Sequence, residues 1–251
     1  DHPQEAVKNN ICGTWIVADA AKKFGAQKFV LISTDKAVNP TSIMGVSKRL
    51  AEMAVMNLNF FAGEVKKSHL PAQAKLTKFI AVRFGNVLGS RGSVIPIFQE
   101  AIENRRPIEI THPAMKRYFM MIGEAALLVM QAGALGLGGE TFILDMGEPV
   151  KILDLAREMI KFSGLEPELD IPIIFTQPHA GEKLFEEILT NQENAQTTKY
   201  KQIFIARQTA VKDQNFLNQL KNLLEQIDEL NDSDLKKALK KLAPEYQNLE
   251  T

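Results

Sequence analysis

Along this chain, long segments with apolar residues at helical spacing alternate with short runs that are apolar throughout. Between Glu5 and Lys23 the apolar positions recur every three or four residues, which predicts a helix from about Gln4 to Phe24 with Gly25 as its C-terminal cap. Lys28 to Ser33 is a short, continuously apolar run, the pattern of a parallel strand covered on both faces. Asn39-Pro40 offers an N-cap and a proline at the first helical position, so the next helix is predicted over Pro40–Phe61. A polar loop over Gly63–Leu76 follows, then a second buried strand, Lys78–Phe84, which leads into Gly85-Asn-Val-Leu-Gly-Ser-Arg-Gly92. Strand, helix and strand in this order call for right-handed crossovers and a parallel sheet.

Beyond Ser93 the pattern shortens. Helices are predicted over Val94–Asn104, Gly123–Leu135 and Ile152–Ser163, with extended stretches over Ile108–Thr111, Glu140–Met146 and Gln202–Ala206. The end of the chain is charged and helical. Its Leu217, Leu220, Leu224 and Ile227 form an amphipathic face for packing on the body or on a partner, and fewer than three heptads are present for a coiled coil. The predicted organisation is residues 1–92 as the C-terminal half of a dinucleotide-binding domain, 93–190 as a smaller substrate lobe with strand 140–146 returning to the sheet, and 191–251 as a mostly helical tail. The fold class is therefore α/β, the C-terminal part of a Rossmann-like doubly wound parallel sheet with a mixed α/β lobe. A dinucleotide-binding domain opens with a strand, a glycine-rich turn and a helix. None precedes Asp1, so the chain reads as the C-terminal part of a longer protein.

Composition narrows the function. The 251 residues are 45% hydrophobic, ample for a core, and 30 basic residues balance 30 acidic ones, which argues against a nucleic-acid partner. The single cysteine, Cys12, excludes an internal disulfide framework, and as a lone thiol among helical residues with no histidine nearby it reads as inert. No apolar stretch approaches the roughly 18 residues of a membrane span. The four histidines, His2, His69, His112 and His179, lack metal-ligand spacing, so no metal is expected. Gly133, Gly136, Gly138 and Gly139 precede a strand, the wrong polarity for a pyrophosphate turn, and read as a helix exit and loop.

The chemistry gathers at the first strand's carboxyl end, where ligands of open α/β sheets bind. Thr34, Asp35 and Lys36 stand there, and Met44 and Lys48 follow one turn apart on one face of the next helix. In short-chain dehydrogenases the corresponding pair is Tyr-x-x-x-Lys, and Met44 cannot exchange a proton. Arg83 reads as a structural partner inside the sheet.

The stretches EAVKNNICGTWIVADAA, KFVLISTDKAVNPTSIMGVSKRLAE, AVRFGNVLGSRGSVIPIF, THPAMKRYFM, GGETFILDMGEPVKILDLA and GEKLFEE resemble the polysaccharide-biosynthesis family of extended short-chain dehydrogenase/reductases. Its members include nucleotide-sugar 4,6-dehydratases acting on UDP-N-acetylglucosamine. The large, membrane-anchored branch is similar in carrying methionine at the tyrosine position. The resemblance covers roughly Asp1 to Leu189 and implies an NAD-dependent enzyme, with NADP left open, a UDP-sugar substrate and a homo-oligomer. It also implies that the full-length protein works at the cytoplasmic face of the inner membrane, tied to it only through an upstream region.

Such dehydratases pass the C4 hydride of the sugar to NAD+, lose the C5 proton and the C6 hydroxyl, and return the hydride to C6. By resemblance Asp35 is the acid at C6, Lys36 the base at C5, Thr34 a donor to the C4 oxygen, and Lys48 the holder of the nicotinamide ribose, with Ser33 and Phe84 beside the cofactor. Deprotonation of the C4 hydroxyl is left between Asp35 acting twice and a water relayed by Lys48. Asn10 resembles the helix asparagine that organises water and lysine in the superfamily. Asn86, Arg91, Ser93 and Arg117 are implied contacts to the UDP moiety, and Glu182 to the uridine ribose. His179 stands where the family usually has arginine, which makes phosphate affinity weaker or pH-dependent. Two other readings stay open: a related epimerase or C5-inverting dehydratase, and a non-catalytic sugar-nucleotide-binding protein. The isolated chain is expected to be inactive, since half of the cofactor site is absent from it.

Overall fold

A computed structural model of the chain describes residues 2–61, 76–90, 92–189, 195–206 and 213–247. In chain order, α1 (Pro3–Val7), a π-helical segment (Lys8–Gly13) and α2 (Thr14–Lys23) run into β1 (Lys28–Ile32), a 3-10 turn (Asp35–Ala37), α3 (Ile43–Phe61) and β2 (Lys78–Arg83). Then come β3 (Asn86–Leu88), α4 (Val94–Glu103), β4 (Ile108–Ile110), β5 (Lys116–Arg117), β6 (Phe119–Met121) and α5 (Ile122–Leu135). The chain continues through β7 (Thr141–Leu144), β8 (Val150–Lys151), α6 (Ile152–Phe162), β9 (Ile173–Phe175), β10 (Ala195–Thr197), β11 (Ile203–Ala206), α7 (Gln214–Gln226) and α8 (Asp232–Leu242).

Two compact units share these elements. The first comprises the described residues within 1–84, 128–145 and 187–249, and the second those within 85–127 and 146–186. The cut falls at Phe84–Gly85 rather than at 92, and the tail belongs with the first unit.

The first unit is built on a five-stranded sheet of order β1-β2-β7-β11-β10. β1, β2 and β7 are parallel, with Lys28 opposite Lys78 and Ala81 opposite Thr141. β11 then runs antiparallel to β7, and β10 antiparallel to β11. The tail, read from its sequence as mostly helical, thus also extends the sheet. β2 and β7 are buried almost throughout, which explains their unbroken apolar runs. Gly136 lies against β2, where a methyl group would come within 2.8 Å of Ile80 Cγ2. α5 is therefore followed by the only residue that can pass there.

α3 is buried along two faces. Ala51, Val55 and Leu58 pack with Leu31, Phe79 and Ala81 of the sheet. Val46, Leu50 and Ala54, four residues apart, pack with Phe216, Leu217, Leu220 and Leu239 of the tail helices. The amphipathic face of α7 thus packs on the body. Inside α3 lies Glu52, fully buried, whose carboxylate accepts from Arg83 Nε at 2.8 Å and Nη2 at 2.7 Å. Arg83 is fully buried as well.

Two sequence expectations need correction. The first helix is helical throughout but widens to a π turn over Lys8–Gly13. α3 begins at Ile43, not Pro40, because Asn39 is in the left-handed region at φ 41° and spends its side chain on Glu187 Oε2, 2.6 Å away. The Ser42 hydroxyl caps the helix instead, accepting from Gly45 N at 3.1 Å. The loop expected over Gly63–Leu76 lies outside the described residues except for Leu76.

The second unit carries three two-stranded pairs: β3 with β6 and β4 with β9, both parallel, and β5 with β8, antiparallel. Its core joins Phe98 and Ile102 of α4 to Leu153, Ala156 and Ile160 of α6, over Ile108 and Ile173.

Burial alone would push the Glu52 carboxyl up, but the Arg83 guanidinium, aided by Arg49, holds it below its ordinary value of 4.5. A carboxyl depressed in the fold contributes stability above the unfolded-state value and loses it as pH falls through the folded one. Glu52→Gln is expected to cost about 3–5 kcal/mol near neutral pH by stranding a buried guanidinium. Urea unfolding across a pH series would show the gap between wild type and variant closing as pH drops below 4.5.

Candidate active site

The sheet continues past the end of β1, because Ser33 N donates to Val82 O at 2.8 Å and Asp35 N to Phe84 O at 3.1 Å. These bonds carry the chain straight to Thr34, where it turns. The Thr34 hydroxyl accepts from Lys36 N at 3.3 Å and closes the turn, and the same hydroxyl donates to Asp35 Oδ1 at 2.8 Å. Lys36 Nζ reaches that oxygen too, at 2.9 Å. Asp35 is fully buried, Lys36 is a quarter exposed, and Asp35 Oδ2 has no hydrogen-bond partner among the described residues. A hydroxyl, a carboxylate and an amine are thus joined in one hydrogen-bonded cluster with an acceptor to spare.

The second lysine arrives from α3. Lys48 Nζ donates to the Ile32 carbonyl, the last of β1, at 2.6 Å. Burial lowers its pKa from the ordinary 10.5, opposed in part by the Glu52 carboxylate one turn further along. Met44, on the preceding turn, is 40% exposed. Ser33 is buried and faces Glu52, close enough for its hydroxyl to favour the carboxylate without a well-formed hydrogen bond. Phe84 enters through its carbonyl, on Asp35.

Asn10 lies in the π segment, where the widened turn presents its amide to the Ser47 hydroxyl at 2.9 Å. Ser47, fully buried, passes the bond to the Met44 carbonyl at 2.9 Å. Asn10 therefore fixes the first turn of α3 through Ser47, a different bond from the lysine contact that the resemblance implies.

In the second unit a cavity of about 510 Å³ is lined by Asn86, Ser93, Arg117, His179 and Glu182 together. Arg91 lies outside the described residues. Arg117 is nearly buried; its Nη2 donates to Glu182 Oε1 at 3.2 Å and its Nη1 to the Lys116 carbonyl at 2.8 Å. Glu182 Oε2 also accepts from His179 N at 3.2 Å, so one carboxylate ties the 179–182 turn to the arginine. Ser93 precedes the ten-residue α4, and its buried Oγ has no partner among the described residues. A guanidinium, a hydroxyl without a partner and a helix N-terminus on one cavity suit an anionic ligand.

The model of the family described as "Polysaccharide biosynthesis protein" matches residues 1–208. The chain belongs to this family. This polysaccharide biosynthesis family member is 57% identical over 192 residues to the probable polysaccharide biosynthesis protein EpsC of Bacillus subtilis, covering 76% of the chain and 30% of EpsC. It is 33% identical both to a UDP-N-acetylglucosamine 4,6-dehydratase (inverting) of Campylobacter jejuni and to a UDP-glucose 4-epimerase of Rickettsia felis. Those matches cover 81% and 77% of the chain, and 55% and 52% of the relatives. Among solved structures, Pen from Bacillus thuringiensis superposes with a TM-score of 0.70 at 35% identity, over 84% of this chain and 62% of that one. The fold is that of the Rossmann-type dehydratases and epimerases, and the chain spans between 30% and 55% of the length of these curated relatives.

In this family member sequence reasoning missed Gly45 and Ser47. A Cβ on Gly45 would lie 2.4 Å from the Lys36 carbonyl oxygen and 3.2 Å from Pro40 Cβ. Only a glycine lets α3 approach the Asp35–Ala37 turn so closely. The signal was present as a glycine inside a helix, where it costs about 1 kcal/mol relative to alanine and so invites a packing reason.

Two outcomes follow. Gly45→Ala is expected to lose about 1–3 kcal/mol to the collision, whereas Gly123→Ala, with nothing within 4 Å of its added methyl, leaves stability unchanged or raises it. Denaturant midpoints decide between them. NMR of 13C-labelled lysine is expected to show Lys48 titrating at lower pH than the exposed lysines; a normal titration would mean that the amine is solvated.

Proposed function

We propose that the protein containing this chain is an NAD-dependent nucleotide-sugar 4,6-dehydratase, converting UDP-N-acetylglucosamine to a UDP-4-keto-6-deoxy sugar for polysaccharide or glycan synthesis. The reading rests chiefly on Asp35 and Lys36. A C4 epimerase needs proton exchange at one oxygen only, whereas elimination also needs a base for the C5 proton and an acid for the departing C6 hydroxyl. An adjacent carboxyl and amine at the end of β1 answer that second requirement.

The elimination uses Asp35 as the carboxylate and Lys36 as the neutral amine, 2.9 Å apart in one hydrogen bond. Asp35 takes the C4 hydroxyl proton as the hydride leaves C4, Lys36 takes the C5 proton, and Asp35 gives the proton it took to the C6 hydroxyl, which leaves as water. Lys36 returns a proton to C5 as the hydride arrives at C6. Thr34 orients Asp35 and can donate to the C4 oxygen. Asp35 Oδ2, without a donor among the described residues, is the acceptor for a sugar hydroxyl.

NAD, when bound, supplies the acceptor for the C4 hydride and returns it to C6. This chain's residues fit its ribose end: Lys48 offers a partly buried amine at the carboxyl end of β1, and Met44 beside it leaves proton transfer to other groups. The cavity lined by Arg117, Ser93 and Glu182 is proposed to take the UDP moiety.

The test is NMR of the product formed by the full-length protein from UDP-N-acetylglucosamine in D2O. A 4-keto-6-deoxy sugar carrying deuterium at C5 is expected, its C5 configuration separating the retaining from the inverting outcome. Asp35→Asn and Lys36→Ala should each lower kcat by about 10²- to 10⁴-fold. A C4 epimer that keeps its C6 hydroxyl, or turnover untouched by both substitutions, would replace this reading.

A further inference from the structure

The last 35 residues of the described chain have no part in the site as drawn so far, and the family match stops at residue 208, before α7. They are nevertheless tied to the same elements that build it. Phe216, Leu217, Leu220, Leu223 and Leu239 pack on Val46, Leu50 and Ala54 of α3. Asp213 N donates to Asn57 Oδ1 at 3.0 Å, and Gln4 Nε2 to the Leu230 carbonyl at 3.1 Å. Two further bonds lie at the extreme end: Arg49 Nε donates to Glu245 Oε1 at 2.8 Å, and Gln247 N donates to the Pro40 carbonyl at 2.8 Å.

We propose that residues 213–247 act as an intramolecular brace that positions the Asp35–Lys36 turn and the helix carrying Lys48, with Glu245 and Gln247 as its points of grip. One arm runs from Gln247 to Pro40. Pro40 Cβ and the Lys36 carbonyl both crowd Gly45, so Pro40, α3 and the catalytic turn are one packed contact. The other arm runs from Glu245 to Arg49, the neighbour of Lys48, and on through Glu52 to Arg83 in β2. Tyr246, 1% exposed, is buried between the arms, and Lys240 holds the bend by donating to the carbonyls of Pro244 and Tyr246. The tail thus fixes the backbone on which the reacting side chains stand, without touching them. This inference rests on the dehydratase reading only for what the braced residues do.

The experiment uses the full-length protein with Glu245→Gln, which removes one charge, and Gln247→Pro, which removes the N–H donor. Each is expected to speed hydrogen exchange of amides 36–42 and to lower kcat about tenfold with KM for the nucleotide sugar within twofold, as small misplacements of reacting groups do. Glu225→Gln, on the exposed face of α7 and paired with Lys221, should change neither. Unchanged exchange over 36–42 in both variants overturns the brace, as does a kcat loss that merely follows the unfolded fraction measured by circular dichroism. Faster exchange in a protein whose wild type yields no dehydration product would leave the brace standing and remove the dehydratase reading instead.

Discussion

The ion pair between Glu52 and Arg83 is the constraint on which the geometry of the first unit depends. Both side chains are fully buried, and they meet through two hydrogen bonds of 2.8 and 2.7 Å. Such a pair adds little net stability, because desolvation of the charges offsets most of their attraction. What it adds is register. A slide of α3 along β2 by one turn would leave a guanidinium and a carboxylate apart in a dry interior, so only one alignment is tolerated. That alignment brings Lys48, one turn before Glu52, to the last carbonyl of β1. The close approach at Gly45 then sets the depth of α3 as the ion pair sets its register.

The elements most legible in the sequence were those whose burial is simplest. β2 and β7 are continuous apolar runs because both faces are covered, and α4 and α6 show their stripes because one solvent face remains; β1 is equally apolar in sequence, yet only its Leu31 is buried and Ile32 is exposed. Local signals failed where two of them competed. Asn39-Pro40 has the composition of a helix start, yet Asn39 takes a left-handed conformation and a bond to Glu187, a residue 148 positions away. Nothing near Asn39 announces that partner. β3, β5, β6 and β8 are two or three residues long, too short for any periodicity, and exist because a distant strand supplies their hydrogen bonds. The π turn is likewise invisible in composition, since it reflects an extra residue in the helical ladder rather than a residue type.

The candidate site was legible through motif order, and far less through chemistry at single positions. Asn86, Ser93, Arg117, His179 and Glu182 lie nearly a hundred residues apart in sequence, but they line one cavity of the second unit. Spacing alone could not have grouped them, because the grouping depends on the short β pairs just described. Asn10 shows the opposite limit. Its identity was readable, whereas its bond to Ser47 depends on a turn geometry that only the fold supplies.

Methionine in place of a phenol gives the site its character. In the proposed reaction a tyrosine held beside a lysine would carry proton exchange at the C4 oxygen of the sugar, and a thioether has no proton to exchange. Under the proposed reaction all proton traffic then falls on Thr34, Asp35, Lys36 and Lys48, which the fold treats unequally. Asp35 is sealed and doubly bonded through one oxygen, Lys36 keeps a quarter of its surface in solvent, and Lys48 has its pKa drawn down by burial. Those differences make division of labour possible, since groups of equal exposure would compete for the same proton. Asp35 is the one carboxylate of this set, and its second oxygen is without a partner among the described residues. An acid that must give a proton at C6 and an acceptor that could receive one at C4 are then the same side chain, acting at different moments. That economy requires the turn to stay still between the two transfers, because a carboxylate free to rotate toward solvent would exchange its proton with water. The hydroxyl of Thr34 and the close packing of Gly45 against the Lys36 carbonyl and Pro40 supply that stillness.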